Sequence, residues 1–202
     1  MTVINKFIGK IKEDREYAQK ILIGGLLMFV PIVNLFALGY LYRYAGQVMS
    51  TGRMDLPKWE QWGKLFLGGL IFLGIAVLFG VIPVLIGWYL SQAINLITFG
   101  ILGWFPYFPL SIAVLIAPSL VLFGLFSILK GDGFQGLFIK LGDHFRTLRK
   151  YWKQLMLGNL AYIGLWIVGL PLYGFSHFIG LVLLIPYTLF VLNDKDESCE
   201  CS

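Results

Sequence analysis

Residues 65–129 of the chain read LFLGGLIFLGIAVLFGVIPVLIGWYLSQAINLITFGILGWFPYFPLSIAVLIAPSLVLFGLFSIL, and none of them is Asp, Glu, Lys or Arg. A helix needs roughly 20 predominantly apolar residues to cross about 30 Å of hydrocarbon. The stretch is therefore too long to be a single spanning helix or one core element of a soluble domain. It predicts two spanning helices, at 65–90 and 110–129, joined by an uncharged, aromatic-rich connection at 91–109.

Charge is equally scarce in two other parts of the chain, residues 21–42 and 154–193, which also lack acidic and basic side chains. The second of these predicts spans at 155–173 and 178–192. Of the 202 residues, 58% are hydrophobic and 13% are charged, whereas soluble domains have roughly 45–50% and 25%. These observations predict an all-α, polytopic membrane protein with four to five spans in a membrane domain over residues 21–193.

The apolar segment at 21–42 has two interpretations. Pro31 and Asn34 lie near its middle, and proline removes a backbone donor and kinks a helix. The segment is either a kinked fifth span or a re-entrant hairpin with its tip at Pro31–Asn34. Non-helical backbone at membrane depth must pack on protein or line a water-filled cavity, so a hairpin tip would lie against other helices.

An amphipathic helix is predicted at 134–153. Its apolar residues recur at steps of three and four, and its basic residues are interleaved on other faces: Lys140, Arg146, Arg149, Lys150 and Lys153. Such a helix is expected to lie on an anionic leaflet and contact lipid headgroups. The alternative is that its apolar stripe packs on the protein's own helices. Residues 1–20 predict a second, shorter interfacial helix, and residues 194–202 an acidic tail.

Three tryptophans precede predicted spans: Trp59 and Trp62 before 65–90, and Trp152 before 155–173. Tryptophan favours the headgroup level, where the ring is buried and its N–H stays hydrated. These side chains are therefore expected to anchor the helices at the lipid interface.

Basic residues are concentrated in 1–20, 43–64 and 130–153, whereas 91–109 and 174–177 have none. Lys and Arg near the ends of spans mark the cytoplasmic side. The pattern predicts a multi-pass protein of the cell membrane with a cytoplasmic C-terminus, and it holds throughout if 21–42 is a hairpin.

The polar residues within the apolar segments are few and uncharged, among them Asn34 and Asn159. Proton-coupled pumps usually need ionisable groups there. Asn34 and Asn159 either line a pore or, as is more common, bond across helices. Glycines in the second and fourth apolar segments are expected to allow close helix approach: Gly68, Gly69, Gly74, Gly164 and Gly169.

No catalytic constellation, nucleotide fingerprint or histidine-based metal site is evident in the sequence. We therefore expect no cofactor, no nucleic-acid partner and no enzymatic activity. Cys199 and Cys201 form a Cys-x-Cys tail, a weak candidate for binding a soft metal or carrying a lipid, although an ordinary acidic tail explains them as well. The leading hypothesis is a scaffold or accessory subunit that self-associates or binds other membrane proteins. The alternative is a channel or passive transporter for a small solute or ion.

Two motifs carry a family resemblance: KILIGGLL, PIVN and LGY between Lys20 and Tyr40, and LPKWEQWGKLF at 56–66. Together they resemble the domain of unknown function 4013, a family of bacterial and archaeal membrane proteins, over about residues 18–193. Lys58, Gln61 and Lys64 depart from the more acidic pattern of that family around the tryptophans. The resemblance implies a prokaryotic membrane protein and supplies no activity or site residues.

Overall fold

The computed structural model describes residues 9, 15–131, 133, 142, 146 and 149–193. Every regular element in this part of the chain is helical. The α-helices are α1 (Arg15–Phe29), α2 (Asn34–Thr51), α3 (Trp62–Ala76), α4 (Ile82–Ile97), α5 (Phe108–Leu129), α6 (Trp152–Val168) and α7 (Tyr173–Asn193), with a π-helical turn at Val77–Val81 and 3₁₀ turns at Phe105–Tyr107 and Leu170–Leu172.

Within the described residues, three helical stretches are long and apolar enough to cross a membrane: Trp62–Ile97, Phe105–Leu129 and Leu170–Leu192. The described part of the chain thus has the helical architecture of a membrane protein. At 17 residues, α6 is shorter than these three, about 25 Å long at 1.5 Å per residue.

Some predicted helix ends need correction. The helix expected to end at Leu90 continues to Ile97 and ends just before Phe99 and Gly100, which adopt positive φ values. Where 155–173 was predicted, α6 ends at Val168. Gly169 and Pro171 stop it there, and α7 begins at Tyr173 rather than Phe178.

Residues 21–42 form a helical hairpin, not one continuous helix. The chain breaks at 30–33, where Pro31 disfavours helix at the residue before it and Ile32 adopts a left-handed φ of 72°. Tyr17, near the start of α1, lies beside Tyr44, near the end of α2. The two arms are therefore antiparallel, with the tip at the break.

A reciprocal glycine contact joins α2 to α3. A Cβ on Gly39 would overlap the backbone oxygen of Leu65, and a Cβ on Gly69 would overlap that of Leu35. Both helices carry the same Leu-Phe-x-x-Gly pattern, at 35–39 and 65–69, so the antiparallel crossing has local two-fold symmetry. Such close approach permits Cα–H···O contacts between the helices.

Glycines in α1, α6 and α7 receive aromatic rings from the facing helix. A Cβ at any of these positions would overlap a ring: Gly24 with Phe178, Gly25 with Phe175, Gly158 with Tyr187, and Gly180 with Tyr162. These contacts fix α7 between α1 and α6. Of the glycines predicted to allow close approach, Gly74 and Gly164 face open space instead.

The ends of α5, α6 and α7 form two groups, one at the basic end of the bundle and one at the uncharged end. Phe123 of α5 packs with Tyr151, just before α6, with Leu155 of α6 and with Val191 of α7. The same end of these helices therefore carries Lys130 and Lys153, and the opposite end carries the uncharged connections 98–107 and 169–172.

A two-helix projection leaves the bundle beyond the π turn. Gly87 of α4 meets Ala113 and the carbonyl of Pro109 in α5, and α4 packs chiefly against α5. The C-terminal half of α5 is mostly buried in the bundle, whereas its N-terminal half is half-buried or exposed. We call residues 82–117 the finger and its outer turns, residues 98–107, the tip.

Candidate functional site

The loop at 53–61 is held against the open end of the α1–α2 hairpin by hydrogen bonds to its backbone carbonyls. Lys20 Nζ donates to Leu56 O at 3.2 Å, and Tyr40 Oη donates to Pro57 O at 2.7 Å. Two further side chains of α2 donate in the same way: Arg43 to Glu60 O and Gln47 to Asp55 O. Both arms of the hairpin therefore hydrogen-bond to the same loop.

Trp59 is part of this arrangement, and its side chain is half-buried in it. Its ring stacks on that of Tyr40, with centroids 4.0 Å apart, and its Nε1 is buried without a hydrogen-bond partner among the described residues. Leaving such a donor unbonded costs about 1–3 kcal/mol, so Trp59 is held here by packing against Tyr40 and not by a hydrogen bond from its indole N–H. Trp62, by contrast, is 49% exposed and Trp152 is also exposed, so both can face lipid.

Tyr17 and Tyr44 line the inner side of the same hairpin. Burial raises the pKa of both hydroxyls, and nearby Asp55 raises the pKa of each further. Both hydroxyls therefore stay protonated at pH values at which a free tyrosine ionises.

Asn159 connects α6 to the proline bend of α5. Its Nδ2 donates to Leu115 O at 2.8 Å and to Ser119 Oγ at 2.8 Å, and the Ser119 hydroxyl lies 3.0 Å from Asn159 Oδ1. Pro118 lies in the same turn and lacks the N–H that would bond to the carbonyl of Val114, so Asn159 bonds to the carbonyl next to the one that the proline frees. Asn159 is only 1% exposed.

Asn34 lies elsewhere, at the first position of α2. Its backbone N–H bonds to Val30 O across the hairpin break, and Pro31 beside it is exposed. The structure therefore places Asn34 and Asn159 in two separate environments and does not bring them together along one path.

A second buried polar contact joins α6 and α7 near their connection. Tyr162 Oη and His177 Nδ1 are 2.7 Å apart, and Ser176 Oγ donates to Gly169 O. Nothing in the sequence spacing identified Tyr162 as the partner of His177.

The predicted basic helix at 134–153 falls largely on residues outside the described part of the chain, including Lys140. Four of its basic residues are described, and all are exposed: Arg146, Arg149, Lys150 and Lys153. Trp152 belongs to α6, which begins there after a turn at Tyr151. The predicted N-terminal helix, apart from its last residues, the acidic tail, and Cys199 and Cys201 also lie outside the described residues.

An apolar groove of about 520 Å³ runs between α4 and α5. Its walls include the π turn at Phe79, the ring of Pro83 and the small side chain of Ala113. Within the described ranges, no group of three or more His, Cys, Asp or Glu side chains is placed to hold a metal ion.

A family model with the description "Protein of unknown function (DUF4013)" matches residues 23–191. The chain belongs to the DUF4013 family. The resemblance inferred from the motifs at 20–40 and 56–66 is thereby confirmed. In this DUF4013 member, the motif at 20–40 lies in the α1–α2 hairpin. The motif at 56–66 contains most of the loop that hydrogen-bonds to that hairpin. No curated protein and no solved structure matches the chain.

Proposed function

We propose that this DUF4013 protein is a non-enzymatic scaffold or accessory subunit of a membrane complex, embedded in the cell membrane and acting through helix packing and lipid contact. The observation that carries the proposal is the finger. Exposed apolar side chains surround α4, among them Leu85, Ile86, Tyr89 and Leu90. Large exposed apolar surfaces mark contacts with protein or membrane.

Buried polar contacts between the helices of the bundle also support this proposal. Asn159 bonds to Ser119 and to a backbone carbonyl, and Tyr162 lies within hydrogen-bond distance of His177. Polar groups used in this way hold helices together. That use supports packing over a channel, the rival function, for which Asn34 and Asn159 were the sequence candidates.

The proposed membrane arrangement places α3–α4, α5, α6 and α7 as four spans and the α1–α2 hairpin as a re-entrant element on the cytoplasmic side. This arrangement is supported by the separation of basic and uncharged helix ends. Lys130 and Lys153 lie at one end of α5–α7 and the uncharged connections at the other, as the distribution of basic residues in cytoplasmic segments requires.

Site-directed photocrosslinking in native membranes tests the scaffold role. A photoreactive phenylalanine analogue at Tyr89, on the finger, is expected to give a discrete adduct with a second protein or a second copy. Leu157 on α6 is the matched control, because both side chains are 65% exposed. Lipid adducts alone at both positions would contradict the proposal.

A separate measurement addresses the channel. Purified protein in liposomes is expected to give no selective solute flux. Selective passage that is abolished by Asn34→Leu would overturn the scaffold proposal in favour of the channel.

A further inference from the structure

The tip of the finger combines high exposure with an apolar surface. Phe99 is 87% exposed, Ile101 is 84% exposed and Trp104 is 79% exposed. No charged side chain occurs anywhere in residues 65–129. A connection of this composition is unlike the polar loops that face water, which are rich in Ser, Asn, Asp and Lys.

The length of α5 places this tip relative to a bilayer. The helix has 22 residues, about 33 Å at 1.5 Å per residue, close to the roughly 30 Å hydrocarbon thickness. Lys130 follows its C-terminal end, and the tip precedes its N-terminal end. With Lys130 in one headgroup layer, the tip therefore lies at the opposite hydrocarbon boundary.

The backbone of the tip is also built for a place with little water. Most of its N–H groups bond to carbonyls within the tip or at the end of α4; the donors are Thr98, Phe99, Gly100, Ile101, Gly103, Phe105 and Tyr107. The Thr98 hydroxyl donates to Ile94 O, and the Ser111 hydroxyl to Tyr107 O. Backbone groups in lipid must be satisfied internally because water is scarce there.

Positive φ values make this closed chain of turns possible. Gly100 and Gly103 adopt φ of 73° and 57°, and Phe99 adopts 50°. A left-handed phenylalanine is uncommon and costs energy. Here that conformation accompanies the near-complete exposure of its ring. The polar loop at 53–61 is built differently, since its carbonyls are held mainly by side chains of α1 and α2.

We propose that the tip is a membrane anchor inserted at the headgroup–acyl boundary of the leaflet opposite the basic residues, with Phe99, Ile101 and Trp104 in contact with lipid. Aromatic side chains are favoured at this depth, where their rings leave water and their polar atoms remain hydrated. We call the rest of the finger, residues 82–97 and 108–117, the shaft. The tip would thus fix the depth of the finger in the bilayer, independently of any protein that binds the shaft.

Nitroxide labelling tests this placement in the full chain, reconstituted in vesicles of phosphatidylcholine and phosphatidylglycerol. The background is Cys199→Ser, Cys201→Ser. Single cysteines are introduced as Ile101→Cys and, as a second tip position, Phe99→Cys. Arg53→Cys in the exposed polar loop is the aqueous control, and Leu85→Cys on the shaft is the hydrocarbon control. Because both tip side chains are almost fully exposed, their replacement leaves the packing unchanged.

Collision rates with oxygen and with a water-soluble nickel chelate report the depth of each label. We expect the tip labels to collide with the chelate about tenfold less often than the label at residue 53, with oxygen access retained and a depth shallower than at residue 85. Chelate access equal to that at residue 53 would overturn the proposal by placing the tip in water. Low access to both reagents would overturn it by showing that protein covers the tip.

Discussion

Two glycines set the distance between α2 and α3, and they allow a sharp test. Gly39→Ala and Gly69→Ala each place a methyl group against a backbone carbonyl, which cannot rotate away as a side chain can. Overpacking typically costs about 1–3 kcal/mol. We expect each variant to lower the free energy of unfolding by at least that amount, measured by thermal or denaturant unfolding in mild detergent.

Matched controls come from glycines that face open space. Gly74→Ala and Gly164→Ala meet no atom within 4 Å, and alanine is favoured over glycine in a helix by up to about 1 kcal/mol. They should be neutral or slightly stabilising. Equal destabilisation of Gly39→Ala and Gly74→Ala would show that the reciprocal contact does not set the helix distance.

The Asn159–Ser119 contact is suited to a double-mutant cycle. Asn159→Ala and Ser119→Ala each remove one partner of the same interhelical bond. Interhelical hydrogen bonds in membrane proteins average about 0.6 kcal/mol and reach about 1.7 kcal/mol. We expect a favourable coupling free energy in that range, from unfolding of the wild type, both single variants and the double variant in detergent. A coupling of zero would mean that the two helices are not linked through these side chains.

Sequence reasoning reached some of these residues and not others. It identified Asn159 as a polar group that packs or lines a pore, because an amide within an apolar run is conspicuous. It missed the role of Gly39, because the repeat Leu-Phe-x-x-Gly at 35–39 and 65–69 gains meaning only when the two helices are known to cross. The stacking of Trp59 on Tyr40 was missed for the same reason, since the general preference of tryptophan for the interface carries no information about a particular neighbour.

At the level of elements, the charge-free runs of the sequence predicted where helices occur. They did not predict where the helices end, because the ends depend on local backbone geometry. The helix predicted to end at Leu90 continues to Ile97, with a π turn at Val77–Val81 before it. Gly174 was placed in the connection before the last span, yet it lies in the first turn of α7 and packs against Phe29 and Gly25 of α1. Tertiary contact therefore overrode the local sequence signal at Gly174.

The basic helix predicted at 134–153 lies largely outside the described residues, and a peptide tests it directly. Each Lys or Arg near an anionic surface contributes roughly 1 kcal/mol, which salt screens. A peptide of residues 133–154 is expected to become helical and to bind anionic vesicles far better than neutral ones, with affinity that falls as salt rises. The measurement is circular dichroism combined with vesicle co-sedimentation.

The control peptide carries Arg146→Gln, Arg149→Gln and Lys150→Gln, so that its apolar residues are unchanged. Its preference for anionic vesicles should decrease sharply. Equal binding of the parent peptide to both vesicle types, or no binding, would indicate that the apolar stripe packs on this protein's own helices.

For the whole molecule, the sorting of helix ends predicts the orientation of the chain in the membrane. Leu172→Cys lies at the uncharged end of α6 and α7, and Lys153→Cys lies at the basic end of α6. In a background without Cys199 and Cys201, a membrane-impermeant maleimide added to intact cells should label residue 172 and not residue 153. Permeabilised cells should show labelling at both positions.

The same labelling experiment can also contradict the predicted orientation. Labelling at residue 153, or at a cysteine replacing Lys140, from outside intact cells would reverse the orientation and remove the basis for a cytoplasmic C-terminus. Loss of labelling at residue 172 in permeabilised cells as well would show only that this position is covered, so Leu170→Cys, 53% exposed, serves as the second site.

The packing of α7 between α1 and α6 has a consequence for biogenesis. Phe175 and Phe178 occupy the hollows over Gly25 and Gly24, and Tyr187 covers Gly158. The ribosome delivers α7 after both of its neighbours, so these hollows remain empty while α1 to α6 are being inserted. Closure of the bundle therefore waits for α7, and until then the hollows over Gly24, Gly25 and Gly158 are open to lipid and to other hydrophobic segments.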